Sequence, residues 1–204
     1  MQPFFHKAFT MKRYILILVA ALCCCLPARA QKFAVGTNAV DWMYFVTPNL
    51  SFQYGVSQHW SIEAAARVNA WSWRTGGDDA ARQQDEIKAR QQTYSLGARW
   101  WPWNVYSGWW VAARAQYQEY DNGGLKFLPW VPDNEAGDAF GAVIAAGYSL
   151  PVHKHWNIEF GLGAWGGYRK YVVYACPWCG KITDEGGKAF FLPDEAVISL
   201  IFTF

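Results

Sequence analysis

The chain has 204 residues, of which 18% are aromatic and 17% are charged, and its formal net charge is +2. The mean hydropathy of −0.07, with no long apolar run after residue 30, excludes transmembrane helices. Residues 1–30 carry four of the 18 bases and no acid. The remaining chain is therefore slightly acidic, and no nucleic-acid-binding surface is expected.

The first 30 residues predict a cleaved secretory signal peptide. A basic pair at 12–13 precedes an apolar run at 14–26, and a small-x-small cleavage site ends at Ala30. Met11 is the expected native start, so the residues before it are interpreted as an upstream extension. The mature chain, 31–204, is long enough for one domain.

The mature sequence predicts eight antiparallel strands that follow one another as a meander. Two hairpins share the pattern His-Trp-x-Ile-Glu, at 59–63 and 155–159, and a third turns at 104–108. The first strand is predicted near 33–40 and the last near 195–204. Segments rich in Gly, Asp, Asn and Pro are predicted as long loops at the other rim: 41–48, 74–91, 120–137 and 173–192. A helical pattern at 79–90 is polar all round, so no stable helix is expected there.

Polar and apolar residues alternate along these strands, and every charge falls on one face. In the strand that begins at Trp60, Ile62 and Val68 lie on the apolar face, whereas Glu63 and Arg67 lie on the other. A charge that faces lipid at mid-bilayer costs about 2–4 kcal/mol. The pattern therefore predicts an eight-stranded transmembrane β-barrel with its apolar face against lipid, whereas a soluble lipocalin-like barrel would place its charges outside.

The inward charges are expected to form a polar network in the lumen. An eight-stranded barrel is just wide enough for side chains to fill, and buried ions need partners there. A proton or ion path, or acid/base catalysis by two carboxylates, are the alternative roles. The predicted network comprises Glu63, Arg67, Arg99, Arg114 and Glu159.

Aromatic residues predict the membrane interfaces and the closing strand. Tryptophans near the short turns suit headgroup depth: Trp60, Trp100, Trp109 and Trp156. Aromatic residues near the long loops suit the same role at the other rim: Trp42, Tyr44, Tyr117 and Tyr168. Carbohydrate stacking at that rim is an alternative role for other tryptophans: Trp71, Trp73, Trp130 and Trp178. The segment 198–204 alternates in polarity and ends on Phe204, which is expected to be the assembly signal for the barrel insertion machinery.

The motif Cys176-Pro177-Trp178-Cys179 admits a redox pair, half a zinc site or a disulfide. Zinc needs four ligands, and the histidines of the mature chain fall at the opposite rim. Exported cysteines form disulfides readily, so we expect a disulfide between Cys176 and Cys179, and neither a metal nor a cofactor.

Several motifs together resemble one family. They are Gly36-Thr37-Asn38, Thr47-Pro48-Asn49-Leu50, the two His-Trp-x-Ile-Glu hairpins, the segment from Tyr171 through 176–181, and Ile198-Ser199-Leu200-Ile201. The chain resembles the Bacteroidota outer-membrane barrels called domain of unknown function 3575. The resemblance implies an exported β-barrel with no established activity, so it transfers no catalytic residue.

The expected function is that of a non-enzymatic outer-membrane barrel of a Gram-negative bacterium with a plugged lumen. Its extracellular loops would serve surface interaction or envelope integrity. The expected partners are outer-membrane lipid, the insertion machinery and an unidentified surface molecule. A lipid-modifying enzyme and a small channel or transport component are the alternatives.

Overall fold

The computed structural model describes residues 32–73, 87–124, 134–176 and 180–204. The predicted signal peptide lies outside the described residues. The elements are β1 (Phe33–Asn38), α1 (Ala39–Met43), β2 (Asn49–Gly55), β3 (Trp60–Asn69), β4 (Ser72–Trp73), β5 (Ile87–Trp100), β6 (Gly108–Gly123), β7 (Glu135–His153), β8 (Trp156–Tyr174) and β9 (Ile182–Thr203). No helix in this part of the chain is long and apolar enough to cross a membrane.

The strands form one closed antiparallel barrel. Each strand pairs with the next, except that β3 and the two-residue β4 both pair with β5. Because β4 continues the line of β3, the barrel has eight strands around its wall. β9 closes the barrel on β1, from Ala34 opposite Thr203 to Asn38 opposite Ser199. The predicted eight-stranded antiparallel meander is confirmed.

Side chains alternate between the interior and the outer surface, as the sequence pattern predicts. Glu63, Glu159 and Trp110 are buried, whereas Leu162 on the outer surface is 75% exposed. A row of outward aromatic side chains lies in register across β5 to β8: Tyr94, Tyr117, Phe140 and Tyr168. The next outward row, away from the short turns, is polar or charged: Gln92, Glu119, Asp138 and Lys170.

We call the outward surface between this aromatic row and the tryptophans of the short turns the apolar belt. No described residue of β5 to β8 places a charged side chain on the belt. The edge of the belt follows one register line across β5 to β8, so these four strands share the end of the apolar surface.

Strands replace much of the predicted long loops. β5 begins at Ile87, β6 reaches Gly123, and β9 begins at Ile182, so the predicted loop bounds at 74–91, 120–137 and 173–192 are wrong. Cross-strand pairing overrides the local turn preference of Gly and Asp, because strand propensity depends on the neighbours that a residue pairs with. Gly137 and Gly186, for example, both lie opposite Tyr171. Residues 74–86, 125–133 and 177–179 of these segments lie outside the described residues.

The first strand is shorter than predicted, because the chain turns into α1 after Asn38. The Asn38 side chain accepts a hydrogen bond from the Val40 N–H at 3.2 Å, and Asp41 lies in the first turn. An Asn cap with an acid in the first turn indicates a helix start, so the prediction of a strand over 33–40 was wrong for its last two residues. The helical pattern at 79–90 does not continue into the described residues, since 87–90 belong to β5.

Candidate functional site

Four of the five predicted lumen residues form one buried cluster of ion pairs. Arg99 binds Glu63 through two hydrogen bonds of 2.6 and 2.8 Å and reaches Glu159 with its remaining terminal nitrogen at 2.7 Å. Arg114 Nη1 lies 3.4 Å from Glu63 Oε1. The two cations and two anions of the cluster give it no net formal charge. The bidentate Arg99–Glu63 contact is the strong geometry for an arginine–carboxylate pair.

A glycine makes room for this cluster. Gly97 on β5 lies opposite Glu63 of β3 and Arg114 of β6 in the strand register. A Cβ atom added at Gly97 would lie 2.5 Å from Arg114 Cα and 2.7 Å from Arg114 Cγ. The missing side chain therefore lets both charged neighbours approach Arg99, which lies two residues further along β5.

Large aromatic side chains fill the interior beside the cluster. The Arg99 guanidinium lies 4.3 Å from the ring centroid of the buried Trp110. That ring occupies the space in front of Gly147 and Gly161, where an added Cβ would come within 2.5 and 2.8 Å of it. Trp110 was not predicted as a site residue, although an inward aromatic side chain in register with two glycines is the signal that identifies it.

Arg67 lies apart from the other four residues. Its Nη1 is 3.1 Å from Asp41 Oδ1 of α1, and its Nη2 is 3.3 Å from Gln116 Oε1 of β6. Asp41 was not predicted as a site residue, because the segment that carries it was assigned to a strand and a loop. Arg67 therefore connects α1 to the barrel wall rather than joining the deep cluster.

Two cavities are lined by described residues that face the interior. A cavity of about 50 Å³ borders the ion pairs, whereas a cavity of about 350 Å³ lies nearer the rim away from the short turns. We call the larger one the outer cavity. Its lining comes from α1, β3 and β5 to β9: Val40, Asp41, Tyr44, Arg67, Gln91, Gln118, Tyr120, Asn122, Ala139, Trp165, Arg169, Phe190 and Leu192.

Short polar contacts hold the lining of the outer cavity in place. Arg169 Nη1 lies 3.0 Å from Glu135 Oε1, and the Tyr120 hydroxyl donates to the same carboxylate at 2.6 Å. The Gln118 amide donates to Gln91 Oε1 at 2.8 Å. Side chains from neighbouring strands are thus linked before any ligand binds.

The remaining predicted residues lie outside the interior. Trp60, Trp100, Trp109 and Trp156 are 51%, 42%, 57% and 42% exposed, on the outward face near the short turns. Phe204 and Phe33 exchange backbone hydrogen bonds of 2.9 and 3.2 Å where β9 meets β1. Cys179 lies outside the described residues, so its pairing with Cys176 stays a prediction. Among the described residues, no group of three His, Cys, Asp or Glu side chains is arranged to hold a metal ion.

Comparison with known proteins places the chain in a family without an assigned activity. No curated protein matches it. A family model described as a protein of unknown function, DUF3575, matches residues 15–204, which include every strand of the barrel. The chain therefore belongs to the DUF3575 family, as its motifs predicted.

Proposed function

We propose that this protein is a non-enzymatic barrel of the outer membrane of a Gram-negative bacterium, closed inside by side chains and available for binding at its outer rim. The observation that carries the proposal is the apolar belt, bounded by aromatic rows on both sides. Continuous apolar surface of this extent on a soluble monomer would be unusual. Lipid accounts for it directly.

The height of the apolar belt supports a membrane setting. Along β7 the outward apolar residues run from Leu150 to Phe140. That run spans about 33 Å along the strand, or about 25 Å along the barrel axis for a strand tilt of about 40°. The apolar band of outer-membrane barrels is about 25 Å tall, so the belt matches one membrane thickness.

The filled interior supports a closed barrel rather than a channel. The ion pairs of Arg99 and the ring of Trp110 occupy the cross-section near the short turns, beside a cavity of only about 50 Å³. Eight strands leave little space beyond that of their own side chains. Purified protein should therefore carry little or no ionic current.

The placement of the histidines supports a non-enzymatic role at the outer rim. His59, His153 and His155 all lie at the short turns, and the His59 and His155 rings contact backbone carbonyls there. They are thus at the opposite end of the barrel from the outer cavity. A lipid-modifying barrel enzyme with a histidine as its general base would need that histidine near the outer rim.

Membrane fractionation and gel mobility test the location and the fold together. The protein should be recovered with outer membranes and should migrate differently on SDS gels before and after boiling, because a closed barrel resists SDS until heated. Purified protein added to planar lipid bilayers should give no large, stable single-channel current. Recovery in the soluble periplasmic fraction would reject the membrane proposal, and large currents would reject the closed interior alone.

We also propose that Cys176 and Cys179, which lie in the segment that connects β8 to β9, form a disulfide. An exported chain meets an oxidising compartment, and the short loop between these cysteines limits the stabilisation to a local effect. Thiol labelling of intact cells should be negative until a reductant is added. Free thiols in freshly isolated outer membranes would reject the disulfide, and bound zinc would favour a metal site instead.

A further inference from the structure

We propose that the outer cavity binds a neutral carbohydrate of one or two sugar units. The inference rests on the proposed function and deepens it, because it names the class of molecule recognised at the outer rim. The cavity volume of about 350 Å³ falls within the range of about 300–1,000 Å³ that is typical of small-molecule sites.

One part of the cavity lining is aromatic. Trp165 and Phe190 pack edge to face, with ring centroids 4.7 Å apart and planes at 78°, and Tyr120 and Tyr44 line the same cavity. An aromatic ring carries negative charge density on its face. The C–H groups on one side of a sugar ring are weakly positive, so they suit such a surface.

The charges in and beside the lining are already compensated. Arg67 pairs with Asp41 at 3.1 Å, and Arg169 pairs with Glu135 at 3.0 Å. An anionic or cationic ligand would have to compete with these pairs for its counter-charge. The lining therefore favours a ligand without net charge.

The polar groups of the lining match hydroxyl groups, which both donate and accept hydrogen bonds. Gln118, Gln91 and Asn122 supply amide donors and acceptors. Burial raises the pKa of the Tyr44 hydroxyl, so this group stays protonated and can donate as well.

Two further hydrogen-bond donors on lining residues could also pair with sugar hydroxyl groups. Trp165 Nε1 and Arg169 Nε are buried and have no acceptor among the described residues. A sugar hydroxyl that reached this wall would supply one. An acyl chain would leave these two donors without an acceptor.

Saturation-transfer NMR on the purified, full barrel tests the inference. The detergent should be lauryldimethylamine oxide, because maltoside detergents carry a sugar headgroup that would compete. Glucose, maltose, lactose and diacetylchitobiose serve as sugar probes, and octanoate and phosphate as apolar and anionic probes. We expect saturation transfer from aromatic protons of the protein to the ring protons of at least one sugar. We expect no specific transfer to octanoate, and phosphate should not displace the bound sugar.

Matched variants locate the binding. Trp165→Phe keeps an aromatic ring, although a smaller one, and removes the N–H donor, whereas Gln118→Ala removes an amide. Each variant should therefore weaken sugar binding about three- to tenfold, the effect of one hydrogen bond. Trp109→Phe and Gln92→Ala make the same changes on the outward face and should bind like the unmodified protein. Gel mobility before and after boiling checks that each variant is folded, and if Trp165→Phe is not, Gln118→Ala decides.

Three outcomes overturn the inference: no sugar binds, only octanoate or phosphate binds, or the folded variants bind as tightly as their controls. Each of them leaves the proposed membrane barrel intact as long as the gel shift and the outer-membrane fractionation hold. Loss of those two properties in the unmodified protein would instead reject the proposed function.

Discussion

Arg99 holds two buried carboxylates from opposite sides of the barrel together. Removing it leaves Glu159 without its guanidinium and Glu63 with the longer Arg114 contact alone. Arg99→Gln should therefore lower the free energy of unfolding by about 3–5 kcal/mol, the usual effect of breaking a buried ion pair. Urea titration of the protein in lipid vesicles, followed by tryptophan fluorescence, measures this change.

Arg90→Gln is the matched control for Arg99→Gln, because Arg90 lies on the same strand and is exposed. Arg90→Gln should change the free energy of unfolding by no more than about 0.5 kcal/mol, as is usual for substitutions on the surface. Arg99→Lys keeps the charge but not the bidentate geometry, so its free energy of unfolding should lie between those of Arg99→Gln and Arg90→Gln. If Arg99→Gln is as stable as Arg90→Gln, the buried cluster does not stabilise the barrel.

Gly161 is required because the ring of Trp110 lies in front of it. A Cβ at Gly161 would lie 2.8 Å from two ring carbons of Trp110, whereas at Gly166 on the same strand the nearest atom is 3.2 Å away and belongs to the outward Phe191. Gly161→Ala should destabilise the barrel by about 1–3 kcal/mol through overpacking. Gly166→Ala should have a smaller effect in the same urea titration.

A double variant tests whether the cost of Gly161→Ala comes from the contact with the Trp110 ring or from another requirement for glycine at this position. Trp110→Phe makes the ring smaller, so it should reduce the cost of Gly161→Ala, and the two changes should be non-additive. Strict additivity would mean that the cost of Gly161→Ala arises elsewhere.

At the scale of elements, Asn38 joins α1 to the wall of the barrel. Its side-chain oxygen accepts from the Val40 and Ile198 N–H groups at 3.2 and 3.0 Å, and its amide donates to the Ala196 carbonyl at 3.0 Å. Asn38→Ala removes a helix cap, which typically costs about 1 kcal/mol, together with two contacts to β9. Hydrogen exchange of residues 39–48 should therefore become faster.

Asn104→Ala is the control for Asn38→Ala. Asn104 lies in the turn between β5 and β6, where its amide oxygen accepts an exposed hydrogen bond from Gln58 at 2.9 Å. Hydrogen exchange at 39–48 should be unchanged in this variant. Equal exchange in both variants would show that Asn38 does not hold α1 in place.

At the scale of the whole molecule, the apolar belt predicts a depth-dependent cost of charge. Leu162 lies within the belt on β8, and Val172 lies on the same face of the same strand beyond the aromatic row at Tyr168. In lipid vesicles, Leu162→Arg should reduce the folding free energy by about 2–4 kcal/mol, and Val172→Arg by about 0–1 kcal/mol. Equal costs at the two positions would mean that the belt does not lie in the membrane.

The rank of these two arginine variants also reports the position of the membrane along the barrel. If the polar row at Lys170 marks the interface, in line with the register across β5 to β8, the cost should be larger at Leu162 than at Val172. A maximum at Val172 would shift the membrane away from the short turns and would place the outer cavity inside it.

The alternation of the sequence determined the fold class, because a strand has a side-chain period of two and each strand carries its apolar residues on one face and its charges on the other. The same rule placed Glu63, Arg99, Arg114 and Glu159 in the interior. It could not name the partners of Arg67 or a role for Trp110, since those depend on which strands face each other across the barrel.

The sequence by itself determined the number of strands, their order, and which face of each one carries charge, because these follow from local patterns of polarity and turn residues. Only the tertiary structure decided how far the strands extend, since Gly137 and Gly186 remain in strands through their pairing with Tyr171. It also decided that α1 brings Asp41 to Arg67 and that the outer cavity exists. Those features arise where distant segments meet, and no local pattern encodes such a meeting.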